Sequence, residues 1–321
     1  MLTLFHFDQG ILQNTRVEGA LEALPEQTVW IDIVGPKPDD EAAMLRLLSV
    51  ELPTHEEMQE IEASSRLYED GGALVMTMPV LTRALTDEPE AAAITFILAG
   101  SRLITVRYVE PLPFAMFQRR LARQPALVAT GETALVGLLE QIADRLADVL
   151  ESATADLESI SRDIFRKDVV RGGDDLKDIL QRVGRAGDLA TKAKDSLLGL
   201  NRVLLFLGAQ TGIRKDSKMR MKTLMRDANS IAEHATFLST KVAFLLDATL
   251  GMINIEQNNV IKILTVASVA FLPPMLIASM YGMNFDQMPE LHTRWGYPLA
   301  VAAMFLSAIA PFLYFRRRKW L

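Results

Sequence analysis

The sequence predicts an α+β domain, in which helices flank a small mixed sheet, followed by long stalk helices and a hairpin of two transmembrane helices. Three observations predict this fold. Short runs rich in Val, Ile, Phe and Thr alternate with helical patterns early in the chain, no proline occurs from Ala126 to Leu272, and two membrane-length apolar runs lie near the C-terminus. At 321 residues, the chain has room for a soluble core and a small membrane part.

The composition argues against several classes of function. A net charge of −6 with 23% charged residues disfavours nucleic acid as a partner and favours cationic partners. The absence of cysteine excludes disulfides and thiolate metal sites, and no two of the four histidines lie at ligand spacing. Because the sequence also shows no nucleophile–base pair and no phosphate loop, we expect neither an enzyme nor a site for an organic cofactor.

Residues 1–125 carry the strand-like patterns and are predicted to form the α+β domain, with a partly parallel sheet. The predicted strands are Leu2–Phe7, Thr28–Ile33, Ala73–Val80, Ala93–Ala99 and Arg102–Tyr108. The predicted helices are Asp39–Val50 and His55–Ile61, with acidic residues in or near the first turn. Asp32 is the one acid inside a strand-like run, and we expect it to be a strand-edge residue rather than part of a site.

The stretch that follows is predicted to be helical, because apolar residues recur in it every three or four positions. Residues 126–216 form an acidic arm and residues 217–262 a stalk helix, with helix breaks expected near Gly172-Gly173 and around Gly208 to Asp216. No clear breaker separates the stalk from the first apolar run. The acids of the arm are more typical of a solvated face than of a sink that concentrates cations near a pore exit.

Two apolar runs, residues 263–280 and 296–315, are long enough to span a membrane. The loop 281–295 joins them, and the tail 316–321 begins with four basic residues: Arg316, Arg317, Arg318 and Lys319. The positive-inside rule places both termini in the cytoplasm and the loop outside, which predicts a multi-pass protein of the cell inner membrane. A buried core hairpin is the less favoured alternative, because such a core would not normally stop against a basic cluster.

The first apolar run and the residues before it carry a helical stripe in which small polar residues alternate with apolar ones. Its members, at spacings of three and four, are Asn258, Ile261, Leu264, Ser268, Leu272, Met275 and Ser279. One hairpin cannot enclose a pore, but a ring of copies can, with apolar rings that gate and polar rings that offer oxygen acceptors. A helix–helix seam with small residues for close packing explains the stripe equally well.

The turn Gly282-Met283-Asn284, at the mouth of the hairpin, favours the pore. Glycine lets backbone carbonyls approach an axis, and the asparagine carbonyl adds a neutral acceptor. Mg²⁺ dehydrates reluctantly and usually keeps several waters, so a filter of neutral oxygens suits it as a hydrated ion. The tripeptide by itself is a weak signal.

In its context, the turn is a strong signal. Tyr281-Gly282-Met283-Asn284-Phe285, Met288-Pro289-Glu290-Leu291, Trp295-Gly296-Tyr297-Pro298 and the Lys319-Trp320-Leu321 ending together resemble the CorA family of magnesium channels. The detailed resemblance begins near Leu245. It implies a homopentamer with a funnel-shaped cytoplasmic domain that lets Mg²⁺, and often Co²⁺ or Ni²⁺, flow down the gradient. It also implies a regulatory role for Mg²⁺, since the family closes when cytosolic Mg²⁺ occupies sites between subunits.

The resemblance also implies roles for individual residues, taken by position. Gly282 and Asn284 would form the outer filter, and Asp286 and Glu290 would attract cations outside. Leu264 and Leu272 would be apolar constrictions, and Asn258 and Asp247 polar rings towards the cytoplasm. Lys262 and Arg316 to Lys319 would form a basic collar.

The chain departs from the family's pattern at three positions. Familiar members have methionine and threonine where this chain has Leu272 and Met275, so the pore is expected to be less polar there. The regulatory acid of the stalk falls near Thr223, and Asp227 lies one turn later as a possible substitute.

Two alternatives stay open at this point. A Zn²⁺ or other transition-metal importer of the same superfamily is disfavoured by the unchanged Met-Pro-Glu-Leu loop and by the lack of soft ligands. A non-conducting membrane-anchored scaffold is disfavoured by the unaltered Gly-Met-Asn turn.

Overall fold

A computed structural model describes residues 1–318 apart from 20, 87, 166–172, 284–287 and 290–292. The chain divides into two compact units. The first is Met1–Val170 with Lys177–Leu246, and the second is Arg171–Leu176 with Asp247–Leu321.

The first unit contains a seven-stranded mixed sheet. Its strands are β1 (Leu2–Asp8), β2 (Ile11–Val17), β3 (Thr28–Val34), β4 (Leu67–Asp70), β5 (Ala73–Thr82), β6 (Glu90–Ala99) and β7 (Arg102–Arg107). They lie in the order β2-β1-β3-β7-β6-β5-β4. The β3–β7 pair is parallel and the other pairs are antiparallel, which confirms the predicted mixed sheet.

All five predicted strands are present, whereas the two edge strands were not predicted. β2 has almost no buried side chain, and β4 is only four residues long, with two exposed acids. Neither strand therefore shows the alternation of buried and exposed residues by which a strand is found in a sequence.

Eight α-helices are present in the described residues. They are α1 (Pro38–Leu48), α2 (His55–Gln59), α3 (Ala63–Arg66), α4 (Leu112–Leu121), α5 (Gly131–Phe165), α6 (Gly173–Ala209), α7 (Lys215–Tyr281) and α8 (Gly296–Arg317), and a short 3₁₀ helix covers Pro125–Val128. The ends of α5, α6 and α7 lie where the helix breaks were predicted. α3 and α4 were not predicted; α4 begins among prolines, which resemble a loop but also suit the first turn of a helix.

Helices cover both faces of the sheet. On one face, Met44 of α1 and Met58 of α2 are buried with the side chains of β1, β3, β5 and β7. On the other, the Trp30 ring stacks on Phe5 with centroids 4.3 Å apart and lies 5.8 Å from Phe117 of α4. Its indole N–H donates to the hydroxyl of Thr105 at 3.0 Å. Trp30 therefore joins α4 to the middle of the sheet.

Asp32 lies in β3, the third strand of the sheet, and is 1% exposed, so the expectation of a strand-edge residue is wrong. The Arg107 guanidinium donates to both carboxylate oxygens of Asp32, at 3.0 and 2.8 Å, and the Thr105 hydroxyl donates to one of them at 2.8 Å. The sequence shows an acid in an apolar run, but not that a distant arginine neutralises it. Loss of either partner would leave a buried charge unpaired.

Gly131 and Gly199 bring helices close to the sheet. A Cβ at Gly131 would lie 2.3 Å from the carbonyl carbon of Arg102 and from the amide of Leu103, at the start of β7. The Gly131 amide donates to the Ser101 carbonyl at 2.7 Å. A Cβ at Gly199, on α6, would lie 2.8 Å from the ring of Pro79 on β5. α5 and α6 thus approach the sheet closely at positions where glycine has no side chain to clash with it.

The apolar parts of α7 and α8 form most of the second unit. Both pass the length and composition test for a membrane span, with mean hydropathies of 2.1 and 1.9. Val266 and Ala300 are buried, but most apolar side chains of both helices are exposed, including Phe271, Leu276 and Phe305. Core helices of a soluble protein bury such residues, so the alternative of a core hairpin fails.

We predict that Gly131→Ala destabilises the first unit by about 1–3 kcal/mol, because backbone atoms of β7 occupy the place of the new methyl group. The measurement is thermal unfolding of the purified chain in detergent, monitored by circular dichroism. Gly184→Ala on α6 is the matched control, since a Cβ there meets nothing within 4 Å and alanine favours a helix. Equal melting temperatures for the two variants would contradict the prediction.

Candidate pore and groove

The predicted stripe lies on the face of α7 that no other described residue covers. The partly or fully buried positions of the apolar segment are Val266, Ala270, Pro273, Pro274 and Ile277, and all but Pro274 lie close to one line along the helix. At about 100° per residue, this face is opposite the one that carries Leu264, Ser268, Leu272, Met275 and Ser279. All seven stripe residues are exposed. A seam between α7 and α8 of one chain therefore does not explain the stripe.

Exposure does not distinguish the stripe from its flanks. Phe271 and Leu276 of α7 are 71% and 64% exposed, as uncovered as Leu272 at 60%. The difference is chemical, because the stripe contains Asn258, Ser268 and Ser279, whereas Phe271 and Leu276 are large and apolar.

α7 ends in a tight turn at Gly282. The Gly282 amide donates to the carbonyls of Ala278 and Ser279 at 2.9 and 3.2 Å, and the Met283 amide donates to that of Met280 at 3.3 Å. A Cβ at Gly282 would lie 3.3 Å from the Ala278 carbonyl oxygen, so glycine eases this turn. The C-terminal end of a helix carries a partial negative charge, which favours a cation beside Gly282 and Met283.

Three predicted residues of the outer loop lie outside the described residues: Asn284, Asp286 and Glu290. Lys319 of the predicted basic collar does so as well. The other collar residues, Lys262 and Arg316 to Arg318, are exposed, as is Asp247. The exposed positions agree with contact to solvent, lipid or another copy.

Asp227 lines a groove of about 610 Å³ between α5 and α7. Across the groove, Glu140 accepts two hydrogen bonds from the Arg220 guanidinium, at 3.0 and 2.7 Å. Asp144 also lines the groove, and burial raises the pKa of its carboxyl; Arg120 opposes this shift, while three acids, including Asp227, increase it. The sequence did not identify Asp144, because it is one of many acids along α5.

Thr223 lines the same groove but offers no carboxylate. Its hydroxyl donates to the Met219 carbonyl of its own helix at 3.3 Å. Within the described part of the chain, no group of three or more His, Asp or Glu side chains is placed to hold a metal ion. One chain alone therefore does not build a closed regulatory metal site around Asp227.

We predict that Asp144→Asn raises the melting temperature at neutral pH. A raised pKa means that the neutral form of Asp144 stabilises the fold below the ordinary Asp pKa, and that this contribution is lost as the pH rises through the raised value. The gain should therefore be present near pH 7 and absent near pH 3.5, below the ordinary pKa of about 3.9.

Thermal unfolding at the two pH values measures this effect. Glu140→Gln is the contrasting variant, because it removes the charge that Arg220 pairs with and should lower stability at neutral pH. A neutral-pH melting temperature of Asp144→Asn at or below that of the unmodified chain would refute the argument from burial.

The sequence matches a family model described as CorA-like Mg²⁺ transporter protein over residues 25–317. It is 35% identical over 321 residues to a magnesium transport protein CorA of Escherichia coli, strain K12, and 34% identical to those of Pectobacterium atrosepticum and Salmonella typhimurium. In each case the similarity covers all of both chains.

Solved structures share the fold at lower identity. The CorA magnesium transporter of Methanocaldococcus jannaschii has a TM-score of 0.75 at 17% identity, over 100% of this chain and 99% of its own. The full-length CmaX protein has a TM-score of 0.62 at 15% identity, over 100% of this chain and 98% of its own. The ZntB cytoplasmic domain of Vibrio parahaemolyticus has a TM-score of 0.58 at 11% identity, over 78% of this chain and 97% of its own. These likenesses confirm the predicted fold class.

Proposed function

The chain belongs to the CorA family of Mg²⁺ transport proteins, and from this premise we propose that it forms a homopentameric channel that conducts Mg²⁺ passively. It is a transporter and not an enzyme. The observation that carries the pore assignment is the position of the stripe, on the side of α7 opposite the face that packs within the chain. Five copies around one axis would line a pore with that stripe.

Gly282, Met283 and Asn284 form the selectivity filter in this proposal. Mg²⁺ arrives hydrated, and removal of its water is slow and costly, so neutral oxygens that bind the hydrated ion hold it loosely enough to release it. Five α7 helices would direct their negative C-terminal ends to the same place, which favours a cation without a fixed charge. The tight turn at Gly282 supports this arrangement, because it ends α7 beside the filter.

Below the filter, Met275, Leu272 and Leu264 make the pore apolar. Rings of such side chains exclude water when the pore is narrow and so close it without a plug. Ser279, Ser268, Ile261 and Asn258 complete the lining, and Asp247 adds an acidic ring before the cytoplasm. Asp286 and Glu290 would attract cations outside, while Lys262 and Arg316 to Lys319 form a basic collar at the inner membrane surface.

The basic tail supports the orientation. By the positive-inside rule, both termini lie in the cytoplasm and the filter loop lies outside the cell inner membrane. We retain the division of the chain proposed from the sequence: a cytoplasmic domain to residue 125, a helical arm to 216, a stalk to 262 and the membrane hairpin beyond it.

A regulatory Mg²⁺ is assigned to the groove that Asp227 lines together with Asp144. Burial and, to a smaller extent, neighbouring acids raise the pKa of Asp144, and a divalent cation there would relieve the repulsion between the acids. The remaining ligands would come from water or from a second copy, because the described residues supply no third acid placed for the metal.

Mg²⁺ is favoured over Zn²⁺ as the transported ion. The curated relatives are named as magnesium transport proteins, and the chain has no cysteine and only four histidines to offer as soft ligands. The likeness to ZntB, at 11% identity, concerns the fold alone. Co²⁺ and Ni²⁺ prefer similar six-fold hydration and are proposed as further substrates.

We predict that Asn284→Ala reduces Mg²⁺ flux into reconstituted vesicles to the level of empty vesicles, because it removes the side-chain oxygens of the filter. Asn259→Ala is the control: this asparagine is an exposed residue of α7 beside the stripe, and its loss should leave flux unchanged. The oligomer of each variant is checked by size-exclusion chromatography. Full flux through an assembled Asn284→Ala channel would refute the filter.

The same vesicles identify the ion when they are loaded with indicator and exposed in turn to Mg²⁺, Co²⁺, Ni²⁺ and Zn²⁺. A Zn²⁺ rate far above the Mg²⁺ rate would favour the importer alternative. An assembled protein that passes none of the four ions would favour the non-conducting scaffold.

We also predict that Met275→Thr increases Mg²⁺ flux. A threonine hydroxyl would place a polar ring in the apolar part of the pore and make it easier to wet. Leu276→Thr is the matched control, since this exposed neighbour lies about 100° away from Met275 around the helix. Equal flux changes in the two variants would contradict the pore-lining position of Met275.

A further inference from the structure

The outer face of α8 ends in an arginine. Phe305, Ile309, Phe312 and Arg316 are all exposed and follow one another at spacings of four, three and four. This spacing places them along a single face of the helix. The half-buried positions Met304, Ala308, Pro311 and Phe315 lie on another face. An apolar stripe thus leads to a positive charge at the end of the span.

Two arginines of this end have no partner in the described part of the chain. Arg316 and Arg317 are exposed and make no ion pair there. Their position at the C-terminal end of α8, next to the negative end of the helix, is favourable for the fold but leaves their guanidinium groups available.

Arg318 is different. Its guanidinium lies over the ring of Tyr314, 5.9 Å from the centroid, and at about 100° per residue it projects from the side of α8 that carries Phe315 rather than from the apolar stripe. The three arginines are therefore not equivalent, although the sequence reads as a uniform basic cluster.

We propose that Arg316 and Arg317 bind the headgroup phosphate of an anionic phospholipid whose acyl chain lies along Phe305, Ile309 and Phe312. The proposal rests on the membrane hairpin of the proposed function. A guanidinium group donates two parallel hydrogen bonds to a phosphate, so two adjacent arginines suit one phosphodiester. A lipid with net negative charge is favoured over a zwitterionic one, because two cations face the headgroup without an acid beside them.

The geometry explains why this ligand is a lipid and not a free anion. Arg316 follows directly from an exposed apolar stripe, with Arg317 about 100° to its side around the helix, and a phospholipid presents a phosphate next to acyl chains in the same order. Lys319, which follows in the sequence, is not needed for the site.

The test uses the purified full chain in detergent, titrated with phosphatidylglycerol or phosphatidylcholine, with bound lipid counted by native mass spectrometry. We expect selective retention of phosphatidylglycerol. Arg316→Gln with Arg317→Gln should lower that affinity about 25-fold, at about five-fold per arginine, which corresponds to about 1 kcal/mol each. Arg318→Gln is the matched control and should change the affinity by less than about two-fold.

A second measurement uses the unmodified chain, so it tests the proposal even if the variants fail to fold. Added sodium chloride should weaken retention of phosphatidylglycerol and leave that of phosphatidylcholine unchanged, because only the first depends on charge. Equal retention of both lipids, or full selectivity in the double variant, would overturn the proposal. Competition by glycerol 3-phosphate as strong as that by phosphatidylglycerol would overturn it too, since the site would then bind free anions.

Mg²⁺ flux, measured on the same preparation in phosphatidylcholine vesicles, distinguishes the two failures. Flux without lipid selectivity refutes the lipid site alone. Lipid selectivity without flux leaves the site standing and refutes the channel.

Discussion

The membrane part depends on one constraint. A single chain leaves most of the surface of its first apolar span, in α7, uncovered. The face of α7 that holds Val266, Ala270, Pro273 and Ile277 is buried or half-buried, and nothing in the described chain covers the opposite face. A bilayer accepts the large apolar side chains of the uncovered part but not asparagine or serine without a hydrogen-bond partner. The polar members of the stripe therefore require water or another copy, and a water-filled ring of copies provides both.

The same constraint applies to the backbone of α7. Pro273 and Pro274 have no amide hydrogen, so the Ala270 carbonyl has no donor three or four residues further along the helix. This position is on the half-buried face and not on the stripe. The weakened turn thus lies on the half-buried side of α7, about three helical turns before Gly282.

Local patterns predicted the elements of this fold, whereas long-range pairing could not be predicted. Apolar periodicity identified five strands, the long helices and both apolar spans, whereas the filter at the turn motif stays a prediction. Edge strand β2 remained hidden because it buries almost nothing. The Asp32–Arg107 pair joins two strands far apart in sequence, and the approach of Asp144 to Asp227 depends on how α5 packs against α7. The sequence shows Asp32 as an acid inside an apolar run, but it contains no signal for the partner of Asp32 or of Asp144.

The departures from the family's pattern fall in the proposed gate and sensor, and the proposed filter motif is unchanged. The hydration of Mg²⁺ constrains the proposed filter, because its oxygens must bind the ion together with its waters. The sensor is less constrained. Thr223 and Asp227 are four residues apart and so occupy one face of α7, about 6 Å apart along the axis, beside the same groove. A carboxylate one turn away still lines the groove with Asp144. Because burial, together with the repulsion from nearby acids, favours a proton on Asp144, a cation bound in this groove would compete with that proton. Regulation through Asp227 would therefore depend on pH as well as on Mg²⁺.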